Sequence, residues 1–136
     1  MIAGYNPMRY DCEKQGCFNV KRRPKIEAFA ECFPGKIAMG DVDGLVEINS
    51  HGLLLEWKSS DVALPMGQRI MYARLTKGCR LTVIVVNGNA ETMDVDQYAW
   101  FADGRLHEII KASLQELKAA IKAWVSWANQ QKQDAA

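Results

Sequence analysis

Residues 81–86 read Leu-Thr-Val-Ile-Val-Val, a short stretch rich in side chains branched at Cβ and free of charge. Branching at Cβ suits an extended backbone better than a helix. The stretch lacks the apolar–polar alternation of a strand with one wet face, so it is predicted to be a central strand covered on both sides. Such a strand needs a layer of structure above and below it, and the chain has to supply that cover from elsewhere in its length.

The rest of the sequence is consistent with that demand. The chain has 136 residues, 49% of them apolar, which suits one domain with a real core. Residues 1–24 are polar and broken by Asn6-Pro7, Gly16 and Pro24, and read as an N-terminal arm. Pro24 suits the first turn of a helix, and Ile26, Phe29, Ala30 and Phe33 then follow helical spacing over residues 25–33 until Pro34-Gly35 stops them. A strand within residues 40–48, a turn at residues 49–52 and a mostly apolar strand over 53–58 make an antiparallel hairpin. A second helix is predicted over residues 65–77, closed by Gly78. After the central strand, residues 94–101 read as an edge strand ending at Asp103-Gly104, with Trp100 and Phe101 in the core. Leu106, Ile109, Ile110, Leu114, Leu117, Ile121, Trp124, Val125 and Ala128 then form an apolar stripe, predicting a long helix over residues 105–132. The expected class is α/β with a mixed sheet.

Charge and cysteine content narrow the function classes. The net charge of +1 neither requires nor excludes a polyanionic partner. Its distribution is more telling, because Lys21, Arg22, Arg23 and Lys25 crowd into five residues, and Arg69 and Arg74 follow on the second helix. These cations could neutralise phosphates without reading sequence. The four cysteines, Cys12, Cys17, Cys32 and Cys79, lack paired CxxC spacing and are expected to be free thiols. Neither a signal peptide nor a membrane span is recognisable, so an intracellular, cytoplasmic protein with no membrane partner is expected. The aromatic end of the last helix, Trp124 and Trp127, offers a contact for a homodimer.

The chemistry concentrates in residues 40–72. Asp41 and Asp43 are two apart at the start of a strand, hence on one face. Glu56 and Lys58 likewise share a face of the next strand, while Trp57 points the other way into the core. A glutamate and a lysine at the end of a buried strand are costly unless each has a partner. A divalent cation held by Asp43 and Glu56, with the Trp57 carbonyl as a further oxygen and Lys58 beside it, would supply one. Mg²⁺ or Mn²⁺ on such ligands can activate water and neutralise a scissile phosphate, and the lysine can orient that water.

Gly40-Asp41-Val42-Asp43-Gly44 followed by Glu56-Trp57-Lys58 resembles the signature of the PD-(D/E)XK nuclease superfamily, Gly-x-x-Asp and then Glu-x-Lys across a hairpin. Gln68 and Tyr72, four apart on the second helix, resemble the Gln-x-x-x-Tyr of its RecB-like and lambda-exonuclease-like branch. The resemblance covers residues 25–88. It implies a restriction-endonuclease-like αβββαβ core plus a long C-terminal helix, with the missing first strand falling within residues 36–39. It further implies a Mg²⁺-dependent deoxyribonuclease whose site is Asp43, Glu56, Lys58, Gln68 and Tyr72. Glu27 would add a carboxylate from the first helix. Asp41 is the alternative to Asp43, which the Gly-x-x-Asp spacing favours. With no room for a recognition domain, the expected partner is DNA read by structure or by its ends, in phage or mobile-element DNA processing, repair or recombination. The rival expectation is a nucleic-acid-binding or protein-interaction module on the same fold that does not turn over.

Overall fold

The computed structural model describes residue 24 and residues 26–132. The chain divides into two units, Met1–Asp41 and Val42–Ala136. In the first, Ile26–Cys32 forms a 3-10 helix with no buried side chain, and residues 37–41 carry no regular structure. Both results correct the sequence reading. The expected α-helix is a short segment bounded by Pro24 and Pro34, and so short a helix holds α-geometry poorly without a surface to pack on. Its apolar stripe is not buried, with Phe29 half exposed. The strand expected within residues 36–39 does not form.

The second unit runs β1 (Gly44–Ile48), β2 (His51–Lys58), α1 (Met66–Thr76), β3 (Leu81–Asn89), β4 (Asp94–Ala102), β5 (Arg105–Lys111) and α2 (Leu114–Asn129). The five strands make one sheet in the order β1-β2-β3-β4-β5. Only β2 and β3 are parallel, and α1 is the crossover that such a pair requires. The fold is therefore α/β with a mixed sheet and a C-terminal helix.

The run at residues 81–86 is the centre of this sheet, as its composition demands. Ile84 and Val86 pack with Leu53 and with Leu117, Trp124 and Ala128 of α2. Val83 and Val85 face the other way, against Tyr72 of α1 and Phe101 of β4. Val83, Ile84 and Val86 are fully buried. Each face of one strand thus supports its own cluster.

One turn and one stretch of strand differ from expectation. The β1–β2 connection is Asn49-Ser50 alone, with φ of 54° and 70°, so His51 and Gly52 belong to the strand. Two successive positive φ values match the right-handed twist of a hairpin. The second correction is larger. Residues 105–111 form β5 rather than the first turns of the last helix, and β4 is an interior strand rather than an edge. Asp103-Gly104, with φ of 55° and 84°, is a two-residue hairpin turn that sends the chain back along β4. The last helix begins only at Leu114. Ser113 Oγ accepts from the Glu116 N–H at 3.2 Å, and Glu116 Oε1 accepts from the Ser113 N–H at 3.1 Å. This reciprocal capping box satisfies two backbone donors that would otherwise be orphaned, and fixes the helix start.

Candidate active site

Alternation along β2 sorts its side chains between the two faces. Leu53, Leu55 and Trp57 join the cluster under α2, and Leu54 joins the cluster under α1. Glu56 and Lys58 share Leu54's face by the two-residue period. Trp57 is held away from them, its indole N–H donating to the Gly88 carbonyl at 3.2 Å.

Glu56 is only 7% exposed, and three donors surround its carboxylate. Tyr72 donates its hydroxyl to Oε2 at 3.0 Å, Gln68 Nε2 approaches Oε1 at 3.5 Å, and Lys58 Nζ lies 3.3 Å from Oε1. Burying a carboxylate among apolar side chains is costly unless hydrogen-bond donors surround it. Helix α1 supplies two of them because Gln68, Tyr72 and Thr76 recur every four residues and so line one side of it. Thr76 turns its hydroxyl back onto the Tyr72 carbonyl at 2.8 Å, and the Tyr72 ring rests on Phe101 with centroids 5.6 Å apart. The Tyr72 hydroxyl is pushed well above the usual phenol range, first by burial, then by the Glu56 charge and their hydrogen bond, and last by the charge of Asp43. It therefore stays a donor to Glu56. Gln68 Oε1 is buried without a hydrogen-bond partner.

Asp43, the residue just before β1, reaches the same strand end. The pair Gly44↔Leu55 places Asp43, one step earlier, across from Glu56. Its Oδ2 accepts from the Trp57 backbone N–H at 2.6 Å. In an extended strand the N–H and C=O of one residue point to the same edge, so the Trp57 carbonyl faces the edge that Asp43 occupies. The sequence-predicted Asp43, Glu56, Lys58, Gln68 and Tyr72 are thus brought to one place by a hairpin, its parallel neighbour and one helix.

Among the described residues no group of three or more His, Cys, Asp or Glu could hold a metal ion. What the site offers is two carboxylates and a carbonyl. That donor set is too sparse for Ca²⁺ and lacks the nitrogen or sulfur of a zinc site, but it fits Mg²⁺, which takes one or two carboxylates and keeps several waters.

The other sequence candidates are placed as follows. Glu27 and Asp41 are exposed residues of the first unit. Lys21, Arg22, Arg23 and Lys25 lie outside the described residues. Arg69 is exposed on α1 and lines a cleft of about 220 Å³ with Val85, Asn87 and Gln97. Cys32 and Cys79 are free and exposed. Trp124 is buried and only Trp127 of the pair is open, its ring edge-on to His51 at 4.8 Å. No helix among the described residues is long and apolar enough to cross a membrane.

Sequence reasoning missed the polar residues that continue the site across the sheet. Lys58 pairs with Asn87, Asn87 with Gln97, and Gln97 with Lys111. These residues come from four strands, and no sequence spacing connects them. Only the register does.

No known protein family, curated protein or solved structure matches this chain.

Proposed function

We propose that this chain is a Mg²⁺-dependent nuclease that hydrolyses DNA phosphodiester bonds. The observation that carries the reading is Glu56, a buried carboxylate fixed by Tyr72, Gln68 and Lys58 across from a second carboxylate, Asp43. The rest of this face is built from Leu54, Val83, Val85 and Phe101, and an apolar residue at position 56 would pack there at no desolvation cost. A cluster of polar groups in such surroundings is what a reaction centre requires and folding does not.

Asp43, Glu56 and the Trp57 carbonyl would hold the ion. Bound there, Mg²⁺ supplies positive charge for a phosphoryl oxygen and lowers the pKa of a coordinated water. The protein's own contributions are separable. Tyr72 and Gln68 fix the Glu56 carboxylate. Lys58, with its side chain 20% exposed, reaches from that carboxylate toward solvent, where its ammonium can orient a water or contact a phosphate. The Trp57 N–H holds Asp43 at the strand end.

The test is incubation of the full chain with single-stranded, duplex and branched DNA in Mg²⁺, Mn²⁺ or EDTA. Cleavage that requires the metal and is lost in Asp43→Ala and Lys58→Ala supports the reading. DNA binding that those substitutions leave unchanged, with no cleavage in either metal, replaces it with a silent binding module.

A further inference from the structure

The rung Lys58–Asn87–Gln97–Lys111 crosses four strands at the open end of the sheet, on the face that carries Glu56. Three inter-strand steps of about 4.8 Å put its terminal lysines roughly 14 Å apart. Above it lies a cleft of about 460 Å³, whose lining includes Ser60, Asp61, Asn87, Asp96, Gln97 and Lys111. That volume lies in the range of small-ligand sites.

The cleft is built by two specific devices. Asn87 pins its roof, donating from Nδ2 to the carbonyls of Ser59 at 3.1 Å and Val62 at 2.8 Å. Gln97 buttresses Asn87 through Nε2 at 3.3 Å. The second device is a β-bulge. Asn87 pairs with Gln97 but Gly88 pairs with Val95, leaving Asp96 without a partner on β3. Adjacent residues of a regular strand point to opposite faces, yet Asp96 and Gln97 both line the cleft, because the bulge re-aims one of them. Beside this polar wall the adjoining cleft is apolar, with Val85, Ala99, Phe101, Leu106 and Ile109.

The charges say what fits. Lys111 is exposed at the far end of the rung and has no ion-pair partner among the described residues. Asp61 and Asp96, which line the cleft with Lys111, repel phosphate. They accept readily from exocyclic amino groups, which cytosine and adenine carry and thymine lacks. The apolar wall of the adjoining cleft suits the flat face of a base. We propose that this cleft receives an amino-bearing base of an unpaired nucleotide beside the phosphate at Lys58, with Lys111 holding a phosphate further along the strand. A stacked, paired base cannot enter, so the preferred substrate is single-stranded or frayed DNA. This assignment rests on the nuclease reading for which phosphate is cut.

The test is fluorescence anisotropy of labelled oligo-dC, oligo-dT and a blunt duplex with the full chain in EDTA, where turnover plays no part. Oligo-dC should bind more tightly than either, on the order of tenfold. Lys111→Glu should weaken oligo-dC binding and lower its salt slope by about 0.7. Asp96→Asn and Asp61→Asn should shrink the difference between oligo-dC and oligo-dT, with circular dichroism confirming that each variant folds. Equal binding of the three DNAs, or wild-type affinity and salt slope in Lys111→Glu, overturns the proposal. A parallel cleavage assay in Mg²⁺ separates the two readings. A chain that cuts DNA but is indifferent to these substitutions loses only the cleft. One that binds through Lys111 and never cuts loses the nuclease assignment and keeps the base-binding cleft.

Discussion

The Tyr72 hydroxyl donates to Glu56 Oε2 at 3.0 Å from a position where both side chains are buried. This contact ties α1 to β2 through a charged group rather than an apolar one. It also fixes the sign of a pH dependence. The Tyr72 pKa is raised in the folded chain by burial and by the Glu56 and Asp43 charges, whereas an unfolded tyrosine ionises near pH 10. Below about pH 10 both states keep the proton and the tyrosine adds no slope. Above it the unfolded state ionises first, so fewer protons are bound there and stability falls as pH rises. Tyr72→Phe removes this loss while costing about 1–3 kcal/mol at neutral pH. Alkaline titration of tyrosinate absorbance should show the same step near pH 10 in wild type and variant, because Tyr72 does not ionise there while folded. A step that shrinks in the variant refutes the burial argument.

Lys58 and Glu56 form the one pair of the site in which both charges are largely shielded, with side chains 20% and 10% exposed. Removing the lysine leaves the carboxylate with two neutral donors and an uncompensated charge. Lys58→Met is expected to cost about 1–3 kcal/mol in urea unfolding. Adding Glu56→Gln should recover part of that loss, since it removes the charge that needed a partner. Under the nuclease reading, both single variants and the double variant lose about 100-fold or more in cleavage, although the double variant recovers part of the stability. A double variant whose loss equals the sum of the two single losses would mean that the ion pair carries no energy.

What the sequence revealed of this arrangement follows from how local each signal is. Glu56, Trp57 and Lys58 alternate between faces by backbone geometry alone, and Gln68 and Tyr72 share a helical face for the same kind of reason. Their convergence needed only the hairpin and one crossover, both legible from turn residues and apolar runs. Residues 105–111 read as helix in the sequence because Leu106, Ile109 and Ile110 fit a helical period as well as a strand that is only partly covered. The deciding signals were Asp103-Gly104 and the Ser113/Glu116 box, where backbone donors and turn dihedrals outweigh side-chain periodicity. The Asn87–Gln97–Lys111 rung was illegible because pairing register between distant strands is a property of the assembled sheet. The bulge at Asp96 adds an unpaired residue that no periodic reading anticipates.

Gly88 is the residue that makes the bulge possible. A Cβ there would collide with the Asp94 carbonyl, and would lie 3.0 Å from Trp57 Cζ2 and 3.1 Å from Val95 Cα. The nearest atom is backbone, and the indole behind it is held by its bond to the Gly88 carbonyl, so neither neighbour can yield cheaply. Gly88→Ala is expected to destabilise the chain by about 1–3 kcal/mol, the usual cost of overpacking. Its thermal midpoint should fall by several degrees, and Asp96 should be displaced from the cleft. Wild-type stability would show that β4 closes on β3 more loosely than the register implies.

The ion itself can be tested without any substrate. If Asp43 and Glu56 hold Mg²⁺ or Mn²⁺ in the folded chain and not in the unfolded one, the metal must raise the unfolding temperature by mass action. At a concentration about 100 times the dissociation constant the gain is about 2.7 kcal/mol, large enough to read by thermal denaturation. Asp43→Asn keeps an acceptor for the Trp57 N–H but gives up the charge, so the variant should fold and lose the metal-dependent gain. High salt should leave most of the gain in wild type, because ligation by carboxylate oxygens is inner-sphere rather than diffuse screening. Mn²⁺ in place of Mg²⁺ should preserve it, as the same hard oxygens serve both ions. A wild-type midpoint indifferent to either metal would leave Asp43 as a cap for the Trp57 amide and Glu56 as a buried partner for Lys58, and the hydrolytic reading would have no electrophile to stand on.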